Sequence, residues 1–558
     1  MSVRMFTPGY RSVWLAGLFI IPLCHRPIMH AQSPGIETHR AAASENAGTR
    51  GFRIAGRLVN AISGEPVRQA TVAVLAIEDS RAIKSVISDS DGRFALDGLP
   101  RAKYQLTASK RGLRTSFYDE HDEYSSAVVT GEDQDTSHLT FRMTPGASVL
   151  GVISGDDGEP VEGARVMLFQ RPRHPGPGAR IVQQDVAVTD DTGAYEFSDL
   201  SAGEYLIAVI AEPWYAMHGG GKAGSEMVNP ALDVAYPVTY YDSTTDEATA
   251  RAISLSGGSR VTADISLNAV PALHLTIPTP RRENGSIARP ELQQTVFGTS
   301  ISVESSGFID SLQSGKTEIA GVAPGHYEIT QGEPPRMVDL DVSASQLVDA
   351  GGGAPASQVA GTLRFQTGMP VTEEVNMTLD RRDNEPGANQ FVTAARGGRF
   401  KFENVPPGSW LLWAAGTKQF TVLATGTGNQ QHPGNIVNTR DRAIELAVTL
   451  STNEARIEGL AAKDGNGLAG VMVMLAPRDP ASWWALMRRD QSDTDGSFTL
   501  RDVAPGQYTV VAIEDGWELD WSRPEAMARY LQQGTAVNVT AHSGNLIRLT
   551  SPIAVQAR

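Results

Sequence analysis

The sequence contains very little cysteine and no long hydrophobic run. Cys24 is the only cysteine among 558 residues, which excludes a scaffold stapled by disulfides. The main apolar run, residues 13–23, is shorter than the ~20 residues that a bilayer-spanning helix needs. Positive charge is also in deficit, with a formal net charge of −15 at pH 7, which disfavours polyanionic partners. We therefore expect no disulfide, no transmembrane span in the mature chain and no nucleic-acid partner.

The N-terminus has the features of a secretion signal. Arg4 and Arg11 precede the apolar run, and a polar stretch that ends in Ala31 follows it. A positive region, a short apolar region and a small residue at the end are typical of a cleaved signal peptide. We predict a signal peptide at 1–31 and a linker at 32–50. The mature protein is then exported to the periplasm, the outer-membrane surface or the extracellular medium.

Cys24 belongs to this signal region, so the mature chain is expected to have no thiol. A lipoprotein signal has a small residue just before the cysteine that is modified, whereas Leu23 occupies that position here. Lipidation of Cys24 is therefore not favoured by the sequence, although the alternative stays open.

Internal repetition is the most informative feature of the remaining chain. A block with a Gly-x turn, an aromatic-x-apolar strand and a Gly-x-aromatic strand occurs four times clearly, and residues 314–327 form a degraded fifth copy. Alternating apolar and polar residues predict half-buried β-strands, and glycine accepts the positive φ of a turn. Each block therefore predicts two neighbouring strands with one aromatic ring directed inward. The four inward aromatics are Phe94, Tyr195, Phe400 and Phe498.

A second signature precedes most of these blocks. It reads Gly-x-Pro-Val-x-x-Ala-x-Val from Gly64 and from Gly158, keeps Gly-x-Pro-Val at Gly368 and drifts further from Gly467. A turn and an alternating strand are again predicted, and about seven short strands per ~100 residues are typical of a β-sandwich. The sequence thus predicts an all-β chain, a tandem array of about five Greek-key β-sandwich modules after the signal peptide. The predicted modules are 51–146, 147–270 with a long inserted loop, 271–349 in degenerate form, 350–452, and 453–558 with a short helix.

The two signatures together resemble the carboxypeptidase regulatory-like, or transthyretin-like (prealbumin-type), domain family. The resemblance extends from about residue 51 to the C-terminus and is weak in the third module. In that family the module is a small Greek-key sandwich that accompanies peptidases, outer-membrane receptors and surface proteins. It is also structurally similar to starch-binding-type carbohydrate modules. The resemblance implies a fold rather than an activity, because one fold hosts many functions.

No catalytic motif accompanies the repeats. None of the eleven histidines has the His-x-x-Glu spacing of a zinc carboxypeptidase, and the chain lacks a Gly-x-Ser-x-Gly elbow and a phosphate-binding Gly-x-x-x-x-Gly-Lys loop. Residues 89–92 and 493–496 resemble the start of a calcium loop, but Phe94 and Phe498 stand where its sixth-position glycine belongs. We interpret both segments as hairpin turns. We predict a non-catalytic protein without cofactor or metal-binding residues.

Aromatic residues outside the repeat core are the candidate ligand contacts. Such rings stack on sugars, but they also cover the open end of a sandwich beneath a long loop. Both interpretations stay open for Trp214, Tyr215, Tyr240, Tyr241, Trp483, Trp484, Trp517 and Trp521. The insertion at residues 212–251, with its loose stretch 219–224, is equally compatible with a binding loop and with disordered filler. Residues 524–533 predict a short amphipathic helix that begins at a proline.

The favoured function is an exported structural or adhesive protein of the bacterial cell envelope, in which the sandwiches act as spacers and weak binding surfaces. A carbohydrate-binding protein that uses the exposed aromatics is the alternative, and an enzyme of unknown type is third. The candidate partners are polysaccharides or other envelope proteins. The sequence alone leaves the ligand and the oligomeric state open.

Overall fold

A computed structural model of the chain describes residues 51–558, apart from 78–79, 174–180, 219–228, 280–288, 304–306, 312–314, 332–335, 350–352, 383–389, 417–419, 429, 441, 453–454 and 541–545. The predicted signal peptide, the predicted linker, Cys24 and the stretch 219–224 lie outside the described residues. The predicted module boundaries serve below to number modules 1 to 5. All five modules belong to a single structural unit.

Among the described residues, the first two modules together contain nineteen strands. Module 1 consists of β1 (Phe52–Asn60), β2 (Thr71–Ala76), β3 (Ala82–Ile87), β4 (Arg93–Leu99), β5 (Lys103–Lys110), β6 (Leu113–Phe117), β7 (Val128–Val129) and β8 (Leu139–Met143). Module 2 consists of β9 (Ala147–Ser154), β10 (Arg165–Gln170), β11 (Val182–Val188), β12 (Ala194–Leu200), β13 (Gly203–Ile210), β14 (Val234–Ala235), β15 (Thr239–Tyr240), a 3-10 turn (Glu247–Thr249), β16 (Ile253–Leu255), β17 (Arg260–Thr262), β18 (Ile265–Ser266) and β19 (Val270–Pro271).

Modules 3 and 4 continue the pattern. Module 3 consists of β20 (Leu273–Pro278), β21 (Glu291–Val296), β22 (Thr299–Ser302), β23 (Gly307–Ser311), β24 (Lys316–Val322), β25 (Gly325–Gln331), β26 (Arg336–Val342) and β27 (Gln346–Leu347). The short strand β28 (Ala354–Pro355) falls within the predicted range of module 4 but pairs with β26. Module 4 consists of β29 (Ser357–Phe365), β30 (Val375–Arg381), β31 (Gln390–Ala395), β32 (Arg399–Val405), β33 (Gly408–Ala415), β34 (Phe420–Thr427), β35 (Gln430–Pro433), β36 (Ile436–Thr439) and β37 (Ile444–Thr452).

Module 5 combines strands with two short helices. It consists of β38 (Ala455–Lys463), β39 (Asn466–Gly467), β40 (Met472–Pro477), α1 (Trp483–Leu486), β41 (Arg488–Gln491), β42 (Ser497–Val503), β43 (Gly506–Ile513), α2 (Pro524–Leu531), β44 (Thr535–Val539), β45 (Leu546–Arg548) and β46 (Ile553–Gln556), with 3-10 turns at Pro480–Ser482 and Gly516–Glu518. The helix predicted at 524–533 is thus confirmed as α2. Within the part of the chain that the structure describes, no helix has the length and apolarity to cross a bilayer.

Modules 1 to 4 share two main sheets, whereas in module 5 β46 pairs with both β38 and β43 and joins the corresponding strands into one nine-stranded sheet. In the first sheet the opening strand lies between an antiparallel strand from the repeat block and a parallel closing strand, as in β4-β1-β8 and β32-β29-β37. The second sheet follows orders such as β3-β2-β5-β6 and β11-β10-β13-β15. The all-β array of sandwich modules predicted from the sequence is therefore confirmed.

The four inward aromatics predicted from the repeat enter four separate apolar cores. Phe94, Tyr195, Phe400 and Phe498 are each at most 5% exposed and belong to different buried clusters. Each pairs in register with a glycine of the opening strand, at Gly56, Gly151, Gly361 and Gly459. A Cβ added to Gly459 would lie 2.5 Å from the Phe498 ring. The ring therefore needs glycine opposite it.

The degenerate third module keeps the architecture without the aromatic residue. Ile319 of β24 is fully buried in a separate cluster with Leu275, Ile329 and Val342. The second aromatic of the repeat is retained as Tyr327, whose hydroxyl donates to the Ala323 carbonyl at 2.8 Å. An aliphatic side chain at the inward position is sufficient because a sandwich core needs apolar volume rather than one particular shape.

Two of the modules bury both faces of their second sheet. In β10 the residues Val166, Met167, Leu168 and Phe169 are all fully buried, and in β40 every residue is buried. In β2 of module 1 buried and exposed residues alternate instead. A strand that is buried on both faces has neighbours on both faces. The outer faces of β10 and β40 therefore mark where other parts of the chain pack.

Candidate functional site

Metal-binding clusters and clefts are the first candidate sites among the described residues. No group of three or more His, Asp, Glu or Cys side chains among them could hold a metal ion. A cleft of about 640 Å³ lies between modules 1 and 2 and is lined by Arg114, Arg142, Arg173 and Asp122, among others. Arg173 lies 3.7 Å from Asp122. Because both signs of charge line this cleft, it has no marked preference for an anionic or a cationic ligand.

Trp214 and Tyr215 begin the insertion of module 2. Trp214 is 84% exposed and packs edge-on against Tyr215, with 5.8 Å between ring centroids. Tyr215 is half-buried. Trp214 is thus open to a ligand in this structure, as the sequence interpretation required.

Tyr240 and Tyr241 have different surroundings. Tyr240 is 4% exposed, on the outer face of the second sheet of module 2. Tyr241 is partly buried against the core of the same module. Neither side chain forms an exposed platform, so the sugar-platform interpretation does not apply to them in this structure.

Trp483, Trp517 and Trp521 of module 5 do not form an exposed platform either. Trp483 and Trp517 are buried at 2% and 6% exposure, and Trp521 packs against the same cluster as a partly buried residue. This cluster lies on the outer face of β40 and β43 and includes Met527 and Tyr530 of α2. The side chain of Trp484 lies outside the described residues.

The cluster also contacts module 1, which is nearly 400 residues away in sequence. The Trp517 ring stacks on His121 with 5.6 Å between centroids, and on Tyr124 with 5.4 Å. Arg489 of β41 is 5% exposed, and its guanidinium carbon lies 3.4 Å from the centroid of Trp521 and 5.0 Å from that of Tyr124. An arginine held between aromatic faces is stabilised by cation–π attraction. The predicted ligand rings therefore hold a side chain of the protein itself.

Asp493 is the centre of the polar part of this contact. Its Oδ1 accepts a hydrogen bond from the Ala127 N–H at 2.9 Å, and its Oδ2 accepts one from Lys103 Nζ at 2.6 Å. Lys103 also donates to Ser497 Oγ at 2.7 Å. Both oxygens of the Asp493 carboxylate thus accept hydrogen bonds from module 1. We call residues 103, 119–130, 470, 489–497, 517 and 521 the docking contact.

Further hydrogen bonds flank Asp493 in the docking contact. Thr494 N–H donates to the Ala127 carbonyl at 3.0 Å, and Val129 N–H donates to Thr494 Oγ1 at 2.9 Å. Ser126 Oγ donates to the Ser492 carbonyl at 2.8 Å and accepts from Gln491 Nε2 at 2.9 Å. Backbone groups of both modules take part, so the contact resembles local strand addition.

The equivalent aspartates of other modules serve their own turns instead. Asp89 Oδ1 accepts from the N–H groups of Asp91 and Arg93, and Asp190 Oδ1 accepts from those of Thr192 and Ala194. The backbone turn is the same in module 5, since Asp493 N–H donates to Ser497 O as Asp89 N–H donates to Arg93 O. The sequence interpretation of 493–496 as a hairpin turn is correct, but it missed the docking role of Asp493.

Burial changes the acidity of the carboxyls in this region. It raises the pKa of Asp490 to about 7, and repulsion by Asp493 adds to the increase, while the Thr499 N–H donated to Asp490 opposes it. Burial also raises the pKa of Asp493, against the opposing effect of Lys103. Raised carboxyl pKa values indicate that water is largely excluded here.

We expect Asp493→Ala to loosen the docking contact. The substitution removes the acceptor of the Ala127 N–H and the partner of Lys103, and a lost hydrogen bond to a charged group costs about 1.5–3 kcal/mol. Hydrogen exchange of residues 119–130, followed by mass spectrometry, should accelerate at least about tenfold, the factor that ~1.4 kcal/mol gives. Asp89→Ala is the matched control, because it removes the aspartate at the equivalent position of module 1, outside the docking contact. Equal protection of 119–130 in both variants would contradict the role assigned to Asp493.

A second contact joins modules 2 and 3. Phe297, between β21 and β22, is 7% exposed and packs edge-on against Tyr240 at 5.0 Å and Phe169 at 5.2 Å. Its backbone N–H donates to Glu247 Oε2 at 2.8 Å. Met167, Leu206, Val296 and Ile301 complete one buried cluster from the two modules. The two modules therefore share apolar surface in addition to their own cores.

The insertion of module 2 also contributes a charged network to this junction. His218 and His274 both bind Asp233, at 2.8 Å each, and His274 binds Glu318 of β24 at 2.7 Å. The His218 side chain is 5% exposed and lies against Gly321, where an added Cβ would approach its Nε2 to 2.6 Å. The described part of the insertion thus contains residues that pack against module 3. The sequence analysis had left a binding loop and disordered filler open and had not considered a packed insertion.

This network should make the junction sensitive to pH. Partial burial alone would lower the pKa of His274, but its hydrogen bonds to Glu318 and Asp233 and their negative charges outweigh burial and raise it. A raised histidine pKa contributes stability that is complete below the ordinary value and is lost as pH rises through the higher folded value. The thermal unfolding of modules 2 and 3 should therefore shift to lower temperature as pH rises from about 6.5, the ordinary histidine value, through the higher folded pKa of His274.

Differential scanning calorimetry of wild type and His274→Gln checks this expectation. Glutamine keeps a hydrogen-bonding group but cannot carry the charge, so the difference in midpoint between the two proteins should shrink as pH rises. His326→Gln is the control, because His326 binds Asp341 at the surface, with a 59% exposed side chain. A wild-type to His274→Gln difference that does not vary with pH would contradict the assignment.

A buried ion pair joins modules 3 and 4. Arg381 of β30 donates to both oxygens of Glu328 in β25, at 2.9 and 3.1 Å. Their side chains are 9% and 14% exposed. A two-pronged pair of this kind fixes orientation as well as attraction. Charged side chains that could have been candidates for a functional site again serve as contacts between modules.

Comparison with known proteins finds a family match in the first module. The model of the carboxypeptidase regulatory-like domain matches residues 53–144, and no curated protein matches the sequence. Solved structures with partial similarity include a streptococcal ancillary pilin (13% identity, 53% of this chain and 98% of the pilin, TM-score 0.20). A minor pilin of Streptococcus agalactiae (14%, 39% and 97%, 0.20) and the major pilin subunit of Bacillus cereus (10%, 72% and 99%, 0.15) are others. Similarity at these TM-scores supports no conclusion about function. The family match lies within module 1, and module 1 is therefore similar to a carboxypeptidase regulatory-like domain.

Proposed function

We propose that this chain is an exported, non-catalytic structural or adhesive protein of the bacterial cell envelope. One observation carries the proposal: its distinctive aromatic and charged side chains are used to hold modules to one another. Asp493 and Lys103 join modules 5 and 1, the His274 network joins modules 2 and 3, and Arg381 joins modules 3 and 4. Groups committed in this way support a fixed arrangement of sandwiches rather than a reaction.

Envelope association is the first test of the proposal. Cells that express the protein from its own gene are fractionated, and intact cells are treated with a protease that does not cross the outer membrane. The protein is expected in the envelope or extracellular fraction. Recovery in the cytoplasm would contradict the proposal, because the predicted signal peptide would then not act.

Carbohydrate binding remains a second candidate because of Trp214. Its ring is open to solvent, and an exposed indole is a common platform for a sugar face. Electrophoresis of the mature protein through gels that contain polysaccharides separates the two candidates. A structural protein migrates as it does in a plain gel. Retardation that is abolished by Trp214→Ala and unaffected by Trp413→Ala, a 51% exposed control, would favour the carbohydrate-binding function.

A further inference from the structure

The docking contact joins surfaces of two modules that each have an apolar core of their own. Module 1 has its own buried cluster around Phe94, and module 5 has its own around Phe498. In module 5 the docking residues lie on the outer face and on a turn, outside the cluster around Phe498, and in module 1 Val128 anchors the segment 119–130 in the cluster around Phe94. Each surface therefore persists when the contact opens, because its module does not depend on the partner for a core.

The structure also shows what fits each surface. The segment 119–130 contacts the turn 493–496 and Arg489. Direct hydrogen bonds, two of them to the Asp493 carboxylate from module 1, and stacked aromatic rings hold the two surfaces together. The two surfaces differ from each other, so the contact is of the heterologous, head-to-tail type. A surface of this type on one copy is complementary to the opposite end of any other copy.

Charges around the contact strengthen this complementarity. Module 5 presents Arg489 to Asp122 and Glu123 of module 1, at 3.4 and 3.3 Å, while module 1 presents Lys103 to Asp493. The pairs run in opposite directions across the contact. A wrong docking mode would bring like charges together, so charge selects the register.

We propose that the docking contact is exchangeable, and that a second copy of this chain is its alternative partner. Module 1 of one copy then docks on module 5 of another, and the reciprocal contact closes a two-chain assembly. Within one chain the contact forms first, because the partner surface is always within reach. The exchange extends the proposed structural function to self-assembly, and its test does not depend on where the protein is located.

Charge reversal across the full-length chain tests the exchange. Lys103→Glu and Asp493→Lys each place like charges together within one chain, and each variant alone is expected to remain a single open chain. When the two are mixed, the native module 1 of one variant meets the native module 5 of the other. The other contact brings the substituted module 1 of one variant to the substituted module 5 of the other, where the introduced glutamate and lysine also attract each other. Sedimentation velocity of the equimolar mixture should show a species of twice the single-chain mass.

Three controls make the result decisive. The doubly substituted chain Lys103→Glu with Asp493→Lys restores attraction within one chain and should remain single and closed. Mixtures that replace Asp493→Lys by Asp89→Lys should show no assembly. Near-ultraviolet circular dichroism establishes that each module 5 is folded, and Arg489→Glu with Asp122→Arg provides a second pair if Asp493→Lys unfolds it. A mixture of two folded, open variants that stays at single-chain mass overturns the proposal.

Discussion

Replacing Phe498 with alanine should unfold module 5 and release the segment 119–130 of module 1. Loss of a buried phenylalanine costs about 3–5 kcal/mol, a large part of the ~5–15 kcal/mol that holds a domain together. The ring is 1% exposed and lies over Gly459, and this glycine has no side chain that could fill the space. Because residues 489–497 adjoin Phe498 in sequence, their surface for module 1 is lost with the core.

Limited proteolysis with mass-spectrometric mapping measures this result. New cleavage is expected after residue 455 and within 119–130, while the rest of module 1 and modules 2 to 4 stay resistant. Phe400→Ala is the matched control, since Phe400 lies over Gly361 in module 4 in the same way. It should leave 119–130 protected. Continued protection of 119–130 in Phe498→Ala would show that the docking contact does not form in solution. Unfolding of the whole chain in one transition would contradict the predicted module boundaries.

Replacing Phe297 with alanine should separate the unfolding of modules 2 and 3. Its ring is buried between the modules, against Tyr240 and Phe169. The expected loss is about 3 kcal/mol, at the low end for a buried phenylalanine because both modules keep their own cores. Apolar surface shared between two domains couples their unfolding, whereas small polar interfaces do not.

Calorimetry distinguishes coupled from separate unfolding. Wild type should show one transition for modules 2 and 3, and Phe297→Ala should show two. Ile319→Ala is the control, because Ile319 belongs to the separate core of module 3. It should lower the shared transition without dividing it. Two transitions already present in wild type would show that the cluster around Phe297 does not couple the modules.

The repeats alone were enough to predict the sandwich array and the inward aromatics. Alternation along a strand assigns each side chain to one face, and a turn with glycine or proline closes each hairpin, so both are local properties. Phe94, Tyr195, Phe400 and Phe498 were therefore placed correctly. The candidate ligand rings were different. Whether Trp517 or Tyr240 is exposed depends on which other module lies over it, and no local pattern specifies that.

One sequence signal for the contacts between modules was present and was not used. In β10 and β40 large apolar residues are continuous, as in Val166 to Phe169, whereas in β2 the small Ala73 lies between Val72 and Val74. A continuous apolar strand indicates neighbours on both faces. This signal predicts that the outer face is covered, but the identity of the covering element requires the tertiary structure.

The sequence by itself determined the all-β sandwich array, the helix α2 and the four inward aromatics, because these depend on periodicities of two to a few residues. Only the tertiary structure decided that Asp493 leaves the turn role of Asp89 and Asp190 to dock module 1. The three aspartates occupy identical local turns, and the difference lies in a partner segment more than 360 residues away. A contact of that kind depends on how all the intervening modules are arranged, and local residue preferences do not contain that information.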